Sequence, residues 1–356
     1  MKNSFLSFFI LAFISPLQII ADTIGSDALV QKIDIQQTLN NGDRVACLAA
    51  LNNGFTINSG STVTFDSIFP VSGNVELNNE TIILTSDLFF GNGATVTSFG
   101  NIIGNNHAVE LSTSTTLLTC PQESNIILDN VTLFLAADTT LEKCNVTISG
   151  ETTIHGRGNT LILEPSATII ADSDATLLLK NITIKGINGK RIYGTDATST
   201  ISLENATWIL DNDFTFATGT LSVLGAFTIA GTNDFTFSYE SAAQSNIYEH
   251  GNLIIKDNIT FSYAPSIADK TLINMTANTS KLTLKRATLH TTPIGMILTR
   301  GILLVTNNTT IINEGSNNTE AVIFGDGITQ DNNLDVQIMP SANLNVGQGF
   351  LVYKNI

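Results

Sequence analysis

The feature that most constrains this chain is a short segment that recurs at nearly fixed spacing. Residues 177–184 (LLLKNITI) return 24 positions later as residues 201–208 (ISLENATW). Residues 236–239 (TFSY) return unchanged 24 positions later, at 260–263. Spacing of this size is typical of proteins in which each repeat is one structural unit stacked on the next.

The same pattern is found well beyond these segments, so the repeat covers most of the chain. Related segments begin at residues 75 and 126, and successive starts at 75, 126 and 177 are 51 positions apart. Residues 212–216 (NDFTF) return 21 positions later, at 233–237. We interpret the unit as 24 to 26 residues, often seen doubled, and we expect side chains one unit apart to be vertical neighbours.

Each unit has the pattern of short β-strands. Apolar residues alternate, as at Leu177 and Leu179, with the period of a strand that buries one face. The chain is rich in Thr (47 residues) and Asn (37 residues), which favour strands and tight turns respectively. Helical periodicity is nearly absent, and a unit this short has no room for the crossover helix of a βαβ unit. The pattern predicts an all-β parallel β-helix of about 14 coils, a rod roughly 65 Å long at the spacing of paired strands.

Two motifs also resemble those of a known family. Residues 154–163 (IHGRGNTLIL) and the form LxLxN[VIA]T[ILW] resemble right-handed parallel β-helix proteins of the pectin-lyase-like superfamily. The resemblance implies three strands per coil around a stacked core, over roughly residues 45–356. These motifs specify a coil rather than a chemistry.

The two ends of the chain differ from the repeat. Residues 1–21 carry one positive charge, an apolar run and a final Ala, the layout of a secretory signal peptide cleaved after Ala21. Residues 22–44 are expected to cap the first coil, with 26–39 fitting a short amphipathic helix and 33–35 fitting a strand equally well. The apolar residues 349–356 leave an uncapped edge, which predicts either pairing with a partner, including self-association, or a product that lacks part of a domain.

Charge and hydropathy restrict where the protein can act and what it can bind. Asp and Glu number 31 against 16 Lys and Arg, a net charge of −15, which disfavours binding to nucleic acid. No segment after the first 21 residues is long and apolar enough to be a transmembrane helix. Together with the signal segment at residues 1–21, this predicts a secreted, periplasmic or cell-surface protein. Its 3 Cys residues are an odd number, so at least one has no partner within the chain.

The spacing brings specific pairs of residues together on neighbouring coils. Cys120 and Cys144 are 24 positions apart, which places their Cα atoms about 5 Å apart and allows either a disulfide or two free thiols. Lys180 and Glu204 are also 24 apart, and we expect a surface ion pair.

The best acidic group consists of Asp172, Asp174 and Asp196, since positions 172 and 196 also differ by 24. Stacked carboxylates repel one another unless a cation such as Ca²⁺ binds their oxygens. The family resemblance implies, for calcium-dependent lyases, a basic residue beside such a group, and Lys190 or Arg191 would fill that role. The alternative interpretation is that these Asp residues only form turns.

The sequence contains little else that favours catalysis. It has no adjacent Asp pair, and residues 189–193 (GKRIY) are only a faint match to the sugar-site segment expected of a hydrolase in the resembling family. His155 aligns with Ile103 of an earlier unit, which favours a strand position over a catalytic base. None of the four His residues has a spaced partner for zinc. We therefore assign no catalytic or cofactor-binding residue.

Aromatic residues concentrate in one region and have two interpretations. They could form a sugar-stacking strip, but their alternation in register favours an inward-facing stack, and the lone Trp208 occupies an apolar position of the repeat. The residues concerned are Phe214, Phe216, Phe235, Phe237, Tyr239, Phe261 and Tyr263.

These observations favour a secreted or cell-surface β-helix without enzymatic activity, with a structural, adhesive or glycan-binding role. Its expected partners are carbohydrate or a cell-surface protein of a host. The alternative is a polysaccharide lyase or glycoside hydrolase on the same scaffold. An oligomeric fibre is a third hypothesis.

Overall fold

The computed structural model describes residues 37–42, 44–45, 54–57, 61–65, 70–91, 93–120, 124–315, 320–325, 334–347 and 349–354. The predicted signal segment and most of the predicted cap lie outside these residues. The end of the cap segment, Gln37–Leu39, forms a strand. In the described residues every regular element is a β-strand, and none is a helix.

The strands are β1 (Gln37–Leu39), β2 (Arg44–Val45), β3 (Gly54–Ile57), β4 (Thr62–Phe65), β5 (Pro70–Val71), β6 (Asn74–Glu76), β7 (Thr81–Leu84), β8 (Leu88–Phe90), β9 (Thr95–Ser98), β10 (Asn101–Ile103), β11 (Ala108–Glu110), β12 (Leu117–Thr119), β13 (Asn125–Asp129), β14 (Thr132–Phe134), β15 (Thr139–Glu142), β16 (Asn145–Ser149), β17 (Glu151–His155), β18 (Thr160–Leu163), β19 (Thr168–Ala171), β20 (Thr176–Gly189), β21 (Ile192–Gly194), β22 (Thr200–Phe216), β23 (Thr220–Val223), β24 (Ala226–Gly231), β25 (Thr236–Tyr239), β26 (Ser245–Ile247), β27 (Asn252–Lys256), β28 (Thr260–Tyr263), β29 (Ile273–Met275), β30 (Lys281–Lys285), β31 (Thr288–Thr291), β32 (Met296–Leu298), β33 (Gly301–Val305), β34 (Thr309–Asn313), β35 (Glu320–Phe324), β36 (Leu334–Ile338), β37 (Leu344–Val346) and β38 (Phe350–Tyr353).

These strands form three parallel stacks, which are the three sides of a β-solenoid. The first stack begins β1–β3–β6–β9, the second begins β2–β4–β7–β10, and the third begins β5–β8–β11–β14. The long strands β20 and β22 bend around corners. The first part of β20 pairs with β17 in the third stack, and its second part pairs with β18 in the first stack. The predicted parallel β-helix is therefore confirmed.

The described residues make about 11 turns, slightly fewer than the about 14 that a constant unit of 24 predicts. The length of a turn is not constant. Gln37 pairs with a residue 18 positions on, whereas Val305 pairs with Ile338, 33 positions on, and Ile311 pairs with Val346, 35 positions on. The long turns near the C-terminus use more chain per coil, and the first and last turns are only partly described.

The interior is filled by the alternate apolar residues of all three sides. Most strands show a strict buried and half-buried alternation, as in β16 and β17. The predicted inward aromatic stack is present: the Phe237 and Phe261 rings lie 5.6 Å apart at 10°, and the Tyr239 and Tyr263 rings lie 6.0 Å apart at 7°. Trp208 is fully buried, as predicted. Each buried aromatic ring stabilises the fold by roughly 1.5–3 kcal/mol relative to an exposed one.

The register corrects three of the sequence alignments. His155 does not align with Ile103, because the two lie in the third and second stacks. Residues 126 and 177 do not share a stack, because Ile126 belongs to β13 in the second stack, whereas Leu177 belongs to the part of β20 in the third. The 51-residue offset therefore joins segments on different sides of the coil. The alignment at a step of 21 is also wrong by two residues, because Phe214 pairs with Phe237. The steps of 24 from Leu177 and from residue 236 are confirmed.

Asparagine turns the chain at several corners. Asn130, Asn181 and Asn205 all have positive φ, at 48°, 47° and 52°. Asn tolerates this left-handed conformation better than most residues with a side chain. The Nδ2 of Asn205 also donates to Oδ1 of Asn181 on the turn below, at 3.1 Å. The Asn of the repeated motif is therefore a corner residue whose amide also links turns.

A disulfide joins Cys120 and Cys144, with their Cα atoms 5.1 Å apart. Both residues are buried beside the corner that leads from the first stack to the second. Of the two states that the spacing allows, the structure has the bonded one.

The last described turn differs from the rest in burial. Strands β36, β37 and β38 expose apolar side chains, among them Ile338 (49%) and Tyr353 (66%). Ile338 pairs with the fully buried Val305, so it occupies an inward position of the final coil. Self-association through this edge stays a prediction. No helix in the described part of the chain could cross a membrane.

Candidate functional site

The acidic group predicted from spacing lies at one corner of the solenoid, on two successive turns. Asp172 and Asp174 follow β19, and Asp196 follows β21, the next strand of the same stack. Their hydrogen bonds are those of turns: Oδ1 of Asp172 accepts from the backbone N–H of Ser173 at 2.9 Å, and the N–H of Asp174 donates to Oγ1 of Thr198 at 2.8 Å.

Asp196 is the most heavily bonded member of the group. Its carboxylate accepts from the hydroxyl of Ser173 at 2.6 Å, and from both the hydroxyl and the backbone N–H of Thr198 at 2.7 and 2.8 Å. The hydroxyls of Ser173 and Thr198 lower the pKa of Asp196 well below its usual range. Within the described ranges, no three His, Cys, Asp or Glu residues are arranged to hold a metal ion. The geometry gives Asp196 the role of a turn cap.

Arg191 does not join this corner. It precedes β21, whereas Asp196 follows that strand. Its Nη1 donates to the carbonyls of Leu163, Glu164 and Gly186 at 3.0, 3.1 and 2.9 Å. Because three backbone acceptors hold this nitrogen, Arg191 fastens the turn, and the structure does not bring it together with the predicted acidic group.

A different set of residues forms a continuous row on the outside of the third stack, which we call the outer strip. Each residue follows a buried apolar position in or directly after a strand of the third stack, so its side chain points outward. Pairing places each above the last, and the backbone bonds of Leu224 and Tyr248 continue the row beyond β22 and β23. In order they are Phe89, Glu110, Phe134, His155, Lys180, Glu204, Leu224 and Tyr248.

Several apolar side chains of the outer strip are unusually exposed. Phe89 is 39% exposed, and Leu224 and Tyr248 are each 40% exposed. Single exposed apolar residues are common on protein surfaces, but here they lie on one row with aromatic and charged neighbours. The row therefore presents apolar surface at both ends and a charged section in the middle.

The charged section is organised around Arg157, which reaches the outer strip from the turn after β17. Its Nη1 and Nη2 donate to the two carboxylate oxygens of Glu110 at 2.6 and 2.9 Å. Its guanidinium carbon lies 4.5 Å from the centre of the Phe134 ring, a cation–π contact. Arg157 has a φ of 54°, and its backbone N–H donates to Nδ1 of His155 at 3.0 Å. The turn therefore holds a flat guanidinium over a flat ring.

His155 lies between positive neighbours. Its ring centre is 5.2 Å from that of Phe134, and the strip places it directly beside Lys180. Partial burial, followed by the charges of Lys180 and Arg157, lowers the pKa of His155. Nδ1 accepts from the backbone of Arg157, and Nε2 lies 3.4 Å from Nδ2 of Asn181. The lowered pKa favours the uncharged ring at neutral pH.

The remaining charges of the outer strip are paired with each other. Nζ of Lys180 lies 2.9 Å from Oε1 of Glu204, which confirms the ion pair predicted from their spacing. With Glu110 bonded to Arg157, each cation of the strip has its own carboxylate. The section is thus polar without a net charge.

The two voids inside the described turns offer no comparable site. They have volumes of about 10 and 20 Å³ and lie between apolar side chains such as Phe261 and Leu133. Voids this small hold at most one water molecule, and neither could admit a sugar.

Comparisons with known proteins found nothing similar: no family model, no curated protein and no solved structure matches this chain. The structure therefore classifies the fold as a parallel β-solenoid.

Sequence reasoning identified only the Lys180–Glu204 pair of the outer strip. The intervals along the strip, from Phe89 to Glu110, Phe134, His155 and Lys180, are 21, 24, 21 and 25 residues. No single period aligns these residues. What the residues share is their position, directly after a buried apolar residue on one side of successive turns.

Proposed function

We propose that this protein is an exported, non-enzymatic β-solenoid that acts as an adhesive element by binding glycans on its outer strip. The observation that carries the proposal is the row itself: exposed aromatic and apolar side chains lie at both ends of a section of paired charges, along one side of the scaffold. Function on rigid scaffolds depends on side chains that the fold positions but does not need for its own core.

The hydrogen bonds of Asp196 and Arg191, the two candidates for catalysis, support a binding role. The carboxylate of Asp196 is occupied by a turn, and Arg191 holds three backbone carbonyls. Acid–base catalysis needs a positioned group that can exchange protons with a substrate. Neither residue is arranged for that task, so the lyase or hydrolase alternative gains no support from them.

Two features support export. Residues 1–21 have the layout of a signal peptide, and the disulfide between Cys120 and Cys144 is of a kind that persists in oxidising compartments. We expect N-terminal sequencing of the exported protein to begin at Asp22. A mature N-terminus at Met1 would contradict export by cleavage.

We also propose that the chain is a divergent member of the pectin-lyase-like superfamily. The support is the motif at residues 154–163 together with three strands per turn. The chain would then share the scaffold of that superfamily and not a catalytic site.

The test measures binding and turnover together. Fluorescently labelled protein is incubated with bacterial and animal cells and with immobilised polysaccharides, and the supernatants are assayed for reducing ends and unsaturated sugars. We expect the protein to bind cells, and we expect periodate treatment of the cells to abolish this binding while protease treatment does not. No sugar should be released. Binding abolished by protease alone would identify a protein receptor and contradict the glycan proposal. Release of sugar products would establish the enzymatic alternative.

A further inference from the structure

The outer strip runs along the solenoid axis, which restricts the shape of its ligand. Neighbouring members are one strand spacing apart, so the seven steps from Phe89 to Tyr248 span roughly 34 Å. A compact molecule would contact only two or three members. An extended chain lying along the axis could contact all of them.

The flat surfaces of the outer strip suit sugar rings. Phe89 and Tyr248 expose aromatic rings near its two ends. The C–H-bearing face of a pyranose is apolar, and its weakly positive hydrogens are attracted to the negative face of an aromatic ring. Between these rings, the guanidinium of Arg157 stacks on Phe134 and makes a third flat surface.

The charges of the outer strip restrict the ligand further. The carboxylate of Glu110 holds both terminal nitrogens of Arg157, and Glu204 lies beside Lys180. A carboxylate on a ligand would have to displace a carboxylate of the protein to gain either cation. The chain also carries a net charge of −15, which repels polyanions in general.

From these observations we propose that the outer strip binds a neutral glycan chain that lies along the solenoid axis, with sugar rings stacked on Phe89, on the Arg157–Phe134 pair and on Tyr248. This inference rests on the proposed glycan-binding function and adds the class of glycan and the direction in which it lies. The partly exposed carboxylate of Glu204 lies between these surfaces and accepts hydrogen bonds from sugar hydroxyls.

The experiment is calorimetric titration of the purified full chain with two sets of hexasaccharides. One set is neutral (β-glucan, mannan and xylan fragments) and the other is acidic (polygalacturonate and alginate fragments). We expect binding to at least one neutral chain and none to the acidic chains. Phe89→Ala and Tyr248→Ala should each weaken that binding roughly tenfold, because each removes one stacking surface.

Tyr193→Ala is the matched control, since Tyr193 is an outward-facing tyrosine of the second stack. It should leave binding unchanged. Glu110→Gln provides a second, independent variant, because it frees the guanidinium of Arg157. We expect this variant to gain measurable affinity for the acidic hexasaccharides. Circular dichroism of each variant confirms that the strand content is retained.

The outcomes separate this inference from the function on which it rests. Binding of acidic chains alone would overturn the inference and leave glycan binding intact. If the affinity for neutral chains were unchanged in both Phe89→Ala and Tyr248→Ala, the inference would also be overturned, because the site would lie elsewhere. No binding to either set, together with no binding to cells, would overturn the proposed function itself.

Discussion

Cys120 and Cys144 lie on successive turns of the solenoid and are joined by a disulfide, with a Cα separation of 5.1 Å. The two residues occupy the same corner on successive turns, so the disulfide links neighbouring coils covalently. It closes a loop of 24 residues.

A bond that closes a loop of this length limits the unfolded chain. We expect the double variant Cys120→Ser/Cys144→Ser to lose about 3 kcal/mol of unfolding free energy in urea denaturation. Dithiothreitol should lower the stability of the natural protein by a similar amount and leave the double variant unchanged. An equal effect of dithiothreitol on both proteins would show that the bond does not stabilise the fold.

The same substitution should have very different effects inside and outside the solenoid. Phe237 is fully buried between Phe214 and Phe261, at ring distances of 5.3 and 5.6 Å. Phe237→Ala should cost about 3–5 kcal/mol because it leaves a cavity in the stack. Phe89→Ala, on the outer strip, should cost less than about 0.5 kcal/mol. Thermal unfolding of the two variants compares them directly, and similar losses would contradict the assignment of inward and outward faces.

The corner asparagines predict an order of two substitutions. Asn205 has a φ of 52° and donates its amide to Asn181 at 3.1 Å. Both Asn205→Ala and Asn205→Gly lose that hydrogen bond, but only Ala is strained in the left-handed region. The Ala variant should therefore be less stable than the Gly variant by about 1 kcal/mol. Urea midpoints of the two variants give this difference. If the two variants were equally unstable, the loss of stability would come from the missing hydrogen bond and not from backbone strain.

His155 predicts a component of the dependence of stability on pH. Partial burial, Lys180 and Arg157 lower its pKa in the fold from the ordinary value of 6.5, against the smaller opposing effect of Glu204. The unfolded chain therefore binds the proton more tightly, so the free energy of unfolding should decrease as the pH falls below 6.5. Above that value the contribution is fully present.

The variant His155→Gln removes the titrating group and should flatten this part of the curve. Unfolding free energies measured between about pH 7.5 and about pH 5.5 avoid the range in which carboxylates titrate. Identical slopes for the variant and the natural protein would show that other groups control the dependence.

The fold could be predicted because the repeat reports on inward-facing residues. The repeat aligns Leu177 with Ile201, and residue 236 with residue 260, correctly because these strands carry the same apolar pattern one turn apart. It aligns residue 126 with residue 177 wrongly, since the shared motif marks a corner and the coil has three corners. Local pattern identifies a corner, whereas only pairing identifies which one.

The candidate site could not be predicted in the same way. Outward residues are not constrained by packing, so Glu110, Phe134 and His155 share no residue type or motif. Arg157 joins them only because the turn after His155 directs its side chain back over two earlier turns. Such a contact depends on the register of three strands, and small changes in turn length remove it from any periodic search.

Pairing between turns keeps its register although the interval along the chain varies from 18 residues at Gln37 to 35 at Ile311. The hydrogen-bonded sides thus set the cross-section, while the corners act as spacers of adjustable length. A peptide grafted at a corner would be displayed outward at a fixed height on the rod, and lineages of such a protein could exchange corner segments without rebuilding the scaffold.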